Sequence, residues 1–253
     1  MNALQGRRAI VTGGSRGLGL AVVRELAARG AQVVVLARDP GRLRDALAGL
    51  AEQAFGVTAD LREPAQVRRA FAEAGERFGG RLDFLVNNAG AGSYQPVERI
   101  SDEEIAHQLA SNFTSAVYCA RSAIPMLRAA GGGVILNVST EAAQQPVSGL
   151  ALYGASKAAL ESFSLALNQE LRADRIKSSI VRLGRMKDTG FSKGWDPVMR
   201  AEAVARWQAE GRFAAAGEPM ELDTVARTIV DLLAVAPGAQ ARLLDLREFD
   251  AGM

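Results

Sequence analysis

The chain predicts an α/β protein built on one doubly wound parallel sheet of about seven strands flanked by helices, in a single domain. Three observations carry this expectation: short Val/Ile/Leu-rich runs of strand length, helical patterns between them, and a glycine cluster after the first run. Strands covered on both faces read as continuous apolar runs, and parallel pairing needs a connection long enough for a helix. Strands alternating with helices then wind into such a sheet through right-handed crossovers. Dividing 253 residues by 150 gives roughly 1.7 domains, but single α/β domains reach this length.

The expected strands are Arg8–Thr12, Gln32–Ala37, Phe55–Thr58, Leu82–Asn87, Val134–Ser139, Ser178–Leu183 and a weaker Arg242–Leu246. Helical patterns lie near 17–29, 40–53, 64–78, 101–130, 151–173 and 221–234. Asp39-Pro40 is a start signal, a capping side chain followed by proline at the first helical position. Ser101 and Glu104 form a capping-box pattern. From there Ile105, Leu109, Phe113, Ala116, Ala120, Ile124 and Leu127 step by three or four, one continuous apolar face, until Gly131-Gly132-Gly133 ends it. The stretch 184–220 breaks the α/β rhythm, mixing aromatic, apolar and charged residues, and reads as an insertion that carries function.

Composition narrows the function classes. The 30 Lys+Arg are scattered among 28 Asp+Glu for a net charge of +2, without the clustered basic stripe of a nucleic-acid binder. A single cysteine, Cys119, excludes a disulfide framework and a cysteine-rich metal site, and no metal is expected. Cys119 reads as a small buried hydrophobe, and His107 as exposed or at an interface. No run of 18 apolar residues suggests a membrane span, and the N-terminus enters the first strand without an apolar signal region. A cytoplasmic location is expected.

After the first strand stands Thr12-Gly13-Gly14-Ser15-Arg16-Gly17-Leu18-Gly19. A dinucleotide loop needs a tight turn, close backbone approach to phosphate, and a helix N-terminus aimed at the anion. Glycine meets the first two needs because it lacks a Cβ. The spacing is not G-x-G-x-x-G, and no Lys-Ser or Lys-Thr follows it as in a Walker loop.

The Thr-Gly-x-x-x-Gly-x-Gly spacing resembles the short-chain dehydrogenase/reductase family. Asn87-Asn88-Ala89-Gly90, Asn137-Val138-Ser139 and Tyr153-x-x-x-Lys157 follow in that family's order, so the resemblance spans about residues 6–183. It implies a Rossmann fold that binds NAD or NADP. The implied cofactor contacts are Gly13, Ser15, Arg16, Gly17, Leu18, Gly19, Arg38, Asp60, Leu61, Asn87, Ala89, Gly90, Tyr153, Lys157, Met186 and Thr189. NAD sites place an acid at the end of the second strand, whereas arginines suit a 2′-phosphate. Here Ala37 holds the acid's slot, Arg38 follows it, and Arg16 adds a second guanidinium, which matches phosphate bidentately. Asp39 is read as the helix cap. NADP(H) is therefore favoured, with NAD(H) the alternative.

Tyr153 and Lys157 lie one helical turn apart on one face. Three tyrosines and four lysines in 253 residues give roughly 0.05 such pairs by chance. Reduction of a carbonyl builds negative charge on oxygen, which must receive a proton. A phenol beside an ammonium ionises more readily, so Tyr153 suits acid and base roles. The resemblance gives Ser139 the substrate hydrogen bond, Lys157 the nicotinamide ribose, and Asn112 the water relay to that lysine. The expected activity is NADPH-dependent reduction of a ketone to an alcohol, acting on a small molecule in a homo-oligomer (tetramer or dimer). An NAD-dependent alcohol dehydrogenase and a dinucleotide sensor without turnover are the alternatives; the Ser139-Tyr153-Lys157 set argues against the sensor. Departures from the family pattern are Leu183 in a proline slot, a displaced Thr189, and no glycine pair after the last strand. Residues 186–215, with Met186, Phe191, Trp195, Met199, Trp207 and Phe213, are expected either to pack plainly or to form a lid over the substrate.

Overall fold

The computed structural model describes residues 4–50, 52–212, 217–235 and 239–248. Its seven strands are β1 Arg8–Thr12, β2 Gln32–Ala37, β3 Ala54–Thr58, β4 Phe84–Asn87, β5 Gly133–Thr140, β6 Ile176–Leu183 and β7 Leu243–Leu246. All pair in parallel, in the order β3-β2-β1-β4-β5-β6-β7. The helices are α1 Gly17–Ala28, α2 Pro40–Ala46, α3 Pro64–Phe78, α4 Asp102–Leu109, α5 Ser115–Ala129, α6 Ala151–Glu170, α7 Pro197–Ala209 and α8 Leu222–Leu233.

The period of two along each strand divides the core. On β2, Val33 and Val35 pack with Leu18, Val22 and Leu26 of α1 and with Ile229 and Val230 of α8. Val34 and Leu36 face the other way, against Val67 and Phe71 of α3, Leu127 of α5 and Leu167 of α6. Both faces of the sheet are thus dry, which is why the strands read as unbroken apolar runs. The strand order reverses between β1 and β4, and in open α/β sheets ligands bind beyond the carboxyl ends of the strands at that point.

Three elements differ from the sequence expectation. The helix expected over 40–53 ends at Ala46; Leu43 and Leu47 instead fold over Gly56 of β3, where a Cβ would stand 2.7 Å from Leu43 Cγ. The helix expected over 101–130 is not continuous. Residues Ala110–Thr114 form a π-helical turn between α4 and α5, and Ile105 and Leu109 stay exposed. Within the 184–220 stretch lies α7, capped by the Asp196 carboxylate on the Val198 and Met199 amides, with Pro197 at the first helical position. This is the same signal as Asp39-Pro40, where Asp39 accepts from the Arg42 amide at 3.0 Å. Phe213 and the end of the expected lid segment lie outside the described residues.

Candidate active site

A cleft of about 970 Å³ opens above the carboxyl ends of β1, β4 and β5. Its floor is the glycine loop. Gly13 and Gly17 have φ of +67° and +52°, in the left-handed region that disfavours side chains. The extended Arg16 begins α1 without any side-chain cap, and no acid lies in the first turn. The first amides of α1 therefore have no side-chain partner at that end, the arrangement that receives phosphate. Asn88 braces the loop: its Nδ2 donates to the Thr12 carbonyl at 3.0 Å and the Gly13 carbonyl at 3.3 Å. Thr12 Oγ1 accepts from the Asn88 and Ala89 amides.

Most of the expected cofactor contacts line this cleft: Gly13, Ser15, Arg16, Gly17, Leu18, Gly19, Arg38, Asp60, Leu61, Ala89, Gly90, Tyr153, Lys157, Met186 and Thr189. Asn87 does not. It is buried in the sheet, donating from Nδ2 to Asn137 Oδ1 at 2.9 Å, because adjacent strand residues point to opposite sides and the outward one here is Asn88. Arg42 and Arg62 also face the cleft and were not among the expected contacts. Arg42 lies on α2, one turn after Arg38, and is paired with Asp39 at 3.3 Å, so Arg16, Arg38 and Arg42 add three guanidinium-bearing side chains to the lining of the cleft. That charge fits a 2′-phosphate better than a bare hydroxyl.

Tyr153 and Lys157 stand on α6 beneath the opposite end of the cleft. Lys157 is buried, and its Nζ donates to the Val138 carbonyl at 2.9 Å. Burial lowers its pKa to about 8, opposed by the charge of Glu161 one turn further along. Tyr153 departs from expectation. Burial pushes its phenol up to about 12, with a hydrogen bond to Thr140 acting in the opposite direction. Desolvation outweighs any help the lysine gives to ionisation.

Ser139 and Thr140 both line the cleft, and the hydroxyl that acts on the Tyr153 phenol is that of Thr140. Ser139 donates to Glu161 Oε1 at 2.5 Å. The same carboxylate accepts from Arg182 Nη2 at 2.6 Å, and Arg182 Nη1 reaches Asp245 at 3.1 Å and Gln144 at 2.8 Å. One step along β5 exchanges the side a residue faces, so the Ser139 hydroxyl, although Ser139 lines the cleft, is turned into this ionic network, and Thr140 ends the strand beside Tyr153.

The π turn explains Asn112. An extra residue in the turn carries this side chain, 1% exposed, to the 91 peptide: Oδ1 accepts from the Ala91 amide at 2.8 Å and Nδ2 donates to its carbonyl at 2.7 Å. Nδ2 also reaches Ser156 Oγ, 3.0 Å away. A Cβ on Gly90 would stand 3.0 Å from Asn112 Oδ1 and 3.3 Å from Lys157 Nζ, so glycine is what allows these groups to approach. His107, expected to be exposed or at an interface, lies on the cleft wall with Nδ1 2.8 Å from Arg62. Cys119 is fully buried among apolar side chains, which pushes its thiol up to about 12.

Residues 186–212 roof the cleft. Asp188 and Gly190 take left-handed φ of +53° and +69°, turning Thr189 onto the glycine loop, where a Cβ on Gly17 would meet its carbonyl at 2.9 Å. Phe191 packs on Tyr153 with ring centroids 5.1 Å apart, and Trp195 on Phe191 at 5.4 Å. Both indoles are tied to the far bank: Trp195 Nε1 donates to the Gly92 carbonyl and Trp207 Nε1 to that of Ser148. Tyr94 packs against both tryptophans, buried rather than lining the cleft.

The family model described as short chain dehydrogenase matches residues 7–198. The chain belongs to the short-chain dehydrogenase/reductase family. This family uses NAD(P), and the chain is an NAD(P)-dependent oxidoreductase of that kind. A tropinone reductase homolog of Arabidopsis thaliana is 37% identical over 182 residues, covering 71% of this chain and 68% of that protein. Among solved structures, L-sorbose reductase from Gluconobacter frateurii, complexed with NADPH and L-sorbose, is 27% identical with a TM-score of 0.86, covering 100% of both chains. A metagenomic short-chain oxidoreductase in complex with NADP is 27% identical with a TM-score of 0.80, covering 98% of this chain and 99% of that one. Among the described residues of this short-chain dehydrogenase no cluster of His, Cys, Asp or Glu is placed to hold a metal, and no helix is long and apolar enough to cross a membrane.

Proposed function

We propose that the protein reduces a ketone to an alcohol with NADPH. The observation that carries this reading is a single cleft with Arg16, Arg38 and Arg42 at one end and Thr140, Tyr153 and Lys157 at the other, joined by the uncapped N-terminus of α1. When bound, the dinucleotide supplies the hydride. The cleft residues fit such a group: amides for the diphosphate, guanidinium groups for the 2′-phosphate, and Lys157, Asn112 and Gly90 gathered beside the nicotinamide end.

In this reading Thr140 Oγ1 and Tyr153 Oη hold the substrate oxygen, and Tyr153 gives it a proton. A phenol held near 12 is fully protonated at neutral pH and is thus loaded as an acid, which supports the reductive direction. Lys157, still largely charged at pH 7, faces the negative charge left on the tyrosine. Asn112 anchors the chain around Ala91 and offers the polar path by which a proton returns to Lys157. Phe191 and Trp195 cover Tyr153 and exclude water. The described segment 186–212 is on this reading the substrate lid, and its apolar lining favours a bulky or cyclic ketone.

A cytoplasmic setting and assembly into a homo-oligomer belong to the same proposal. Burial of the lone thiol Cys119 is compatible with the first, and the exposed Ile105, Leu109 and Leu165 on α4 and α6 support the second. Light scattering of the purified protein tests the assembly. The activity is tested by following NADPH absorbance against a ketone panel. Tyr153→Phe should retain cofactor binding while losing about 10²-fold or more in turnover, the scale of general acid help. Full turnover in that variant removes Tyr153 from the mechanism.

A further inference from the structure

We propose that Arg62 is an adenine clamp, a cofactor-binding residue held in place by Asp60 and His107. This rests on the reading of the cleft as a dinucleotide site. Arg62 follows β3 and lines the cleft at the end where Leu61, Ser111 and Ser115 form the wall. Its guanidinium is fixed along its edge. Nε donates to Asp60 Oδ1 at 3.0 Å and Oδ2 at 3.1 Å, and Nη2 donates to Oδ2 at 2.5 Å. Nη1 donates to His107 Nδ1 at 2.8 Å, so the imidazole accepts there and carries its proton on Nε2. The Arg62 amide also donates to Asp60 Oδ1 at 3.0 Å, and the Asp60 amide donates to Gln66 Oε1 at 3.0 Å.

A guanidinium held by its edge keeps its flat faces free. Those faces are weakly hydrated and stack well on aromatic rings. The side chain is 34% exposed although three of its nitrogens are engaged, and that exposure belongs to a group lining the cleft. The ligand chemistry that matches a flat, fixed, partly exposed cation is a purine face. The Asp60 carboxylate, held below its usual range first by Arg62, is committed to orienting this plane. His107, 45 residues away on α4, fixes the other corner of the fork and makes the plane rigid before the ligand arrives. Arg62 therefore differs from Arg16, Arg38 and Arg42. Those three act on a phosphate that only NADP carries, whereas Arg62 acts on the adenine that NADP and NAD share.

The two roles separate in binding measurements. Dissociation constants for NADPH and NADH are measured by calorimetry on the wild type and on Arg62→Ala, Arg62→Lys and Arg38→Ala. Arg62→Ala should weaken both ligands by the same factor, about tenfold, the scale of a lost stack on a base. Arg62→Lys keeps the charge but not the plane and should lose nearly as much. Arg38→Ala should weaken NADPH alone. His107→Ala should cause a smaller loss, and His107→Ala in the Arg62→Ala background should add none, since it acts through Arg62. The clamp is overturned if Arg62→Ala leaves both constants unchanged, if it weakens only NADPH, or if Arg62→Lys binds like the wild type. Independent losses from Arg62 and His107 overturn the positioning role of the histidine. A wild type that binds neither ligand removes the dinucleotide reading itself, a different outcome from an unaffected Arg62 variant.

Discussion

Ser139 gives its hydroxyl to the Glu161 carboxylate at 2.5 Å, and Glu161 in turn is salt-bridged to the buried Arg182 at 2.6 Å. A hydroxyl engaged in this way is poorly placed to serve a substrate oxygen. Thr140→Val should therefore lower kcat/KM by about tenfold to a hundredfold, the worth of one hydrogen bond to a developing oxyanion or somewhat less. Thr140→Ser should restore most of it, and Ser139→Ala should retain most activity. Steady-state kinetics with NADPH decide the matter; the reverse ranking would return Ser139 to the site.

The pH profile reads the same helix. Lys157 is lowered to about 8 by burial, so its ammonium is present below that pH and disappears above it. Reduction should fall as the pH rises through about 8. Because the charge of Glu161 raises the lysine, Glu161→Gln should move this limb to lower pH. A limb that stays in place, or moves upward, would separate Glu161 from the titration.

Cofactor preference follows from charge at the end of β2. Arg38→Asp puts an acid where a ribose 2′-hydroxyl can use it and faces a 2′-phosphate with repulsion. The ratio of kcat/KM for NADPH over NADH should drop below one, given a wild type that prefers NADPH. Wild-type affinities that are equal for the two cofactors would contradict the role given to the arginine cluster.

Trp195 and Phe191 supply the apolar cover above Tyr153. A homologous ketone series should show KM falling with each added methylene, by up to about fourfold per step from roughly 0.8 kcal/mol of burial. Trp195→Ala should flatten the series and spare the smallest ketone. A series that is flat in the wild type would reduce this segment to scaffold.

The sheet was legible because burial on both faces leaves strands such as Gln32–Ala37 as nearly pure apolar runs. The glycine loop and the Tyr153–Lys157 pair were legible because their spacing is local. What escaped depended on direction or on contacts distant in sequence. Thr140 and Ser139 are neighbouring hydroxyls on a strand, and only the pleat decides which one meets Tyr153. The same alternation exchanges Asn87 and Asn88. The π turn left no trace in the apolar spacing, since Phe113 and Ala116 continue the pattern of Ile105 and Leu109 across it. Arg62 finds His107 only after folding. In contrast, α7 had a readable cue in Asp196-Pro197.

The chain contains two tryptophans, and both sit in the segment that roofs the cleft, their indole N–H groups hooked to Gly92 and Ser148 on the opposite bank. The protein consequently carries its own optical probe. Indole emission overlaps the absorption band of a reduced nicotinamide, so energy transfer from Trp195 and Trp207 would follow coenzyme occupancy and roof opening in real time. No label need be attached, and replacing either indole with phenylalanine would separate the two signals.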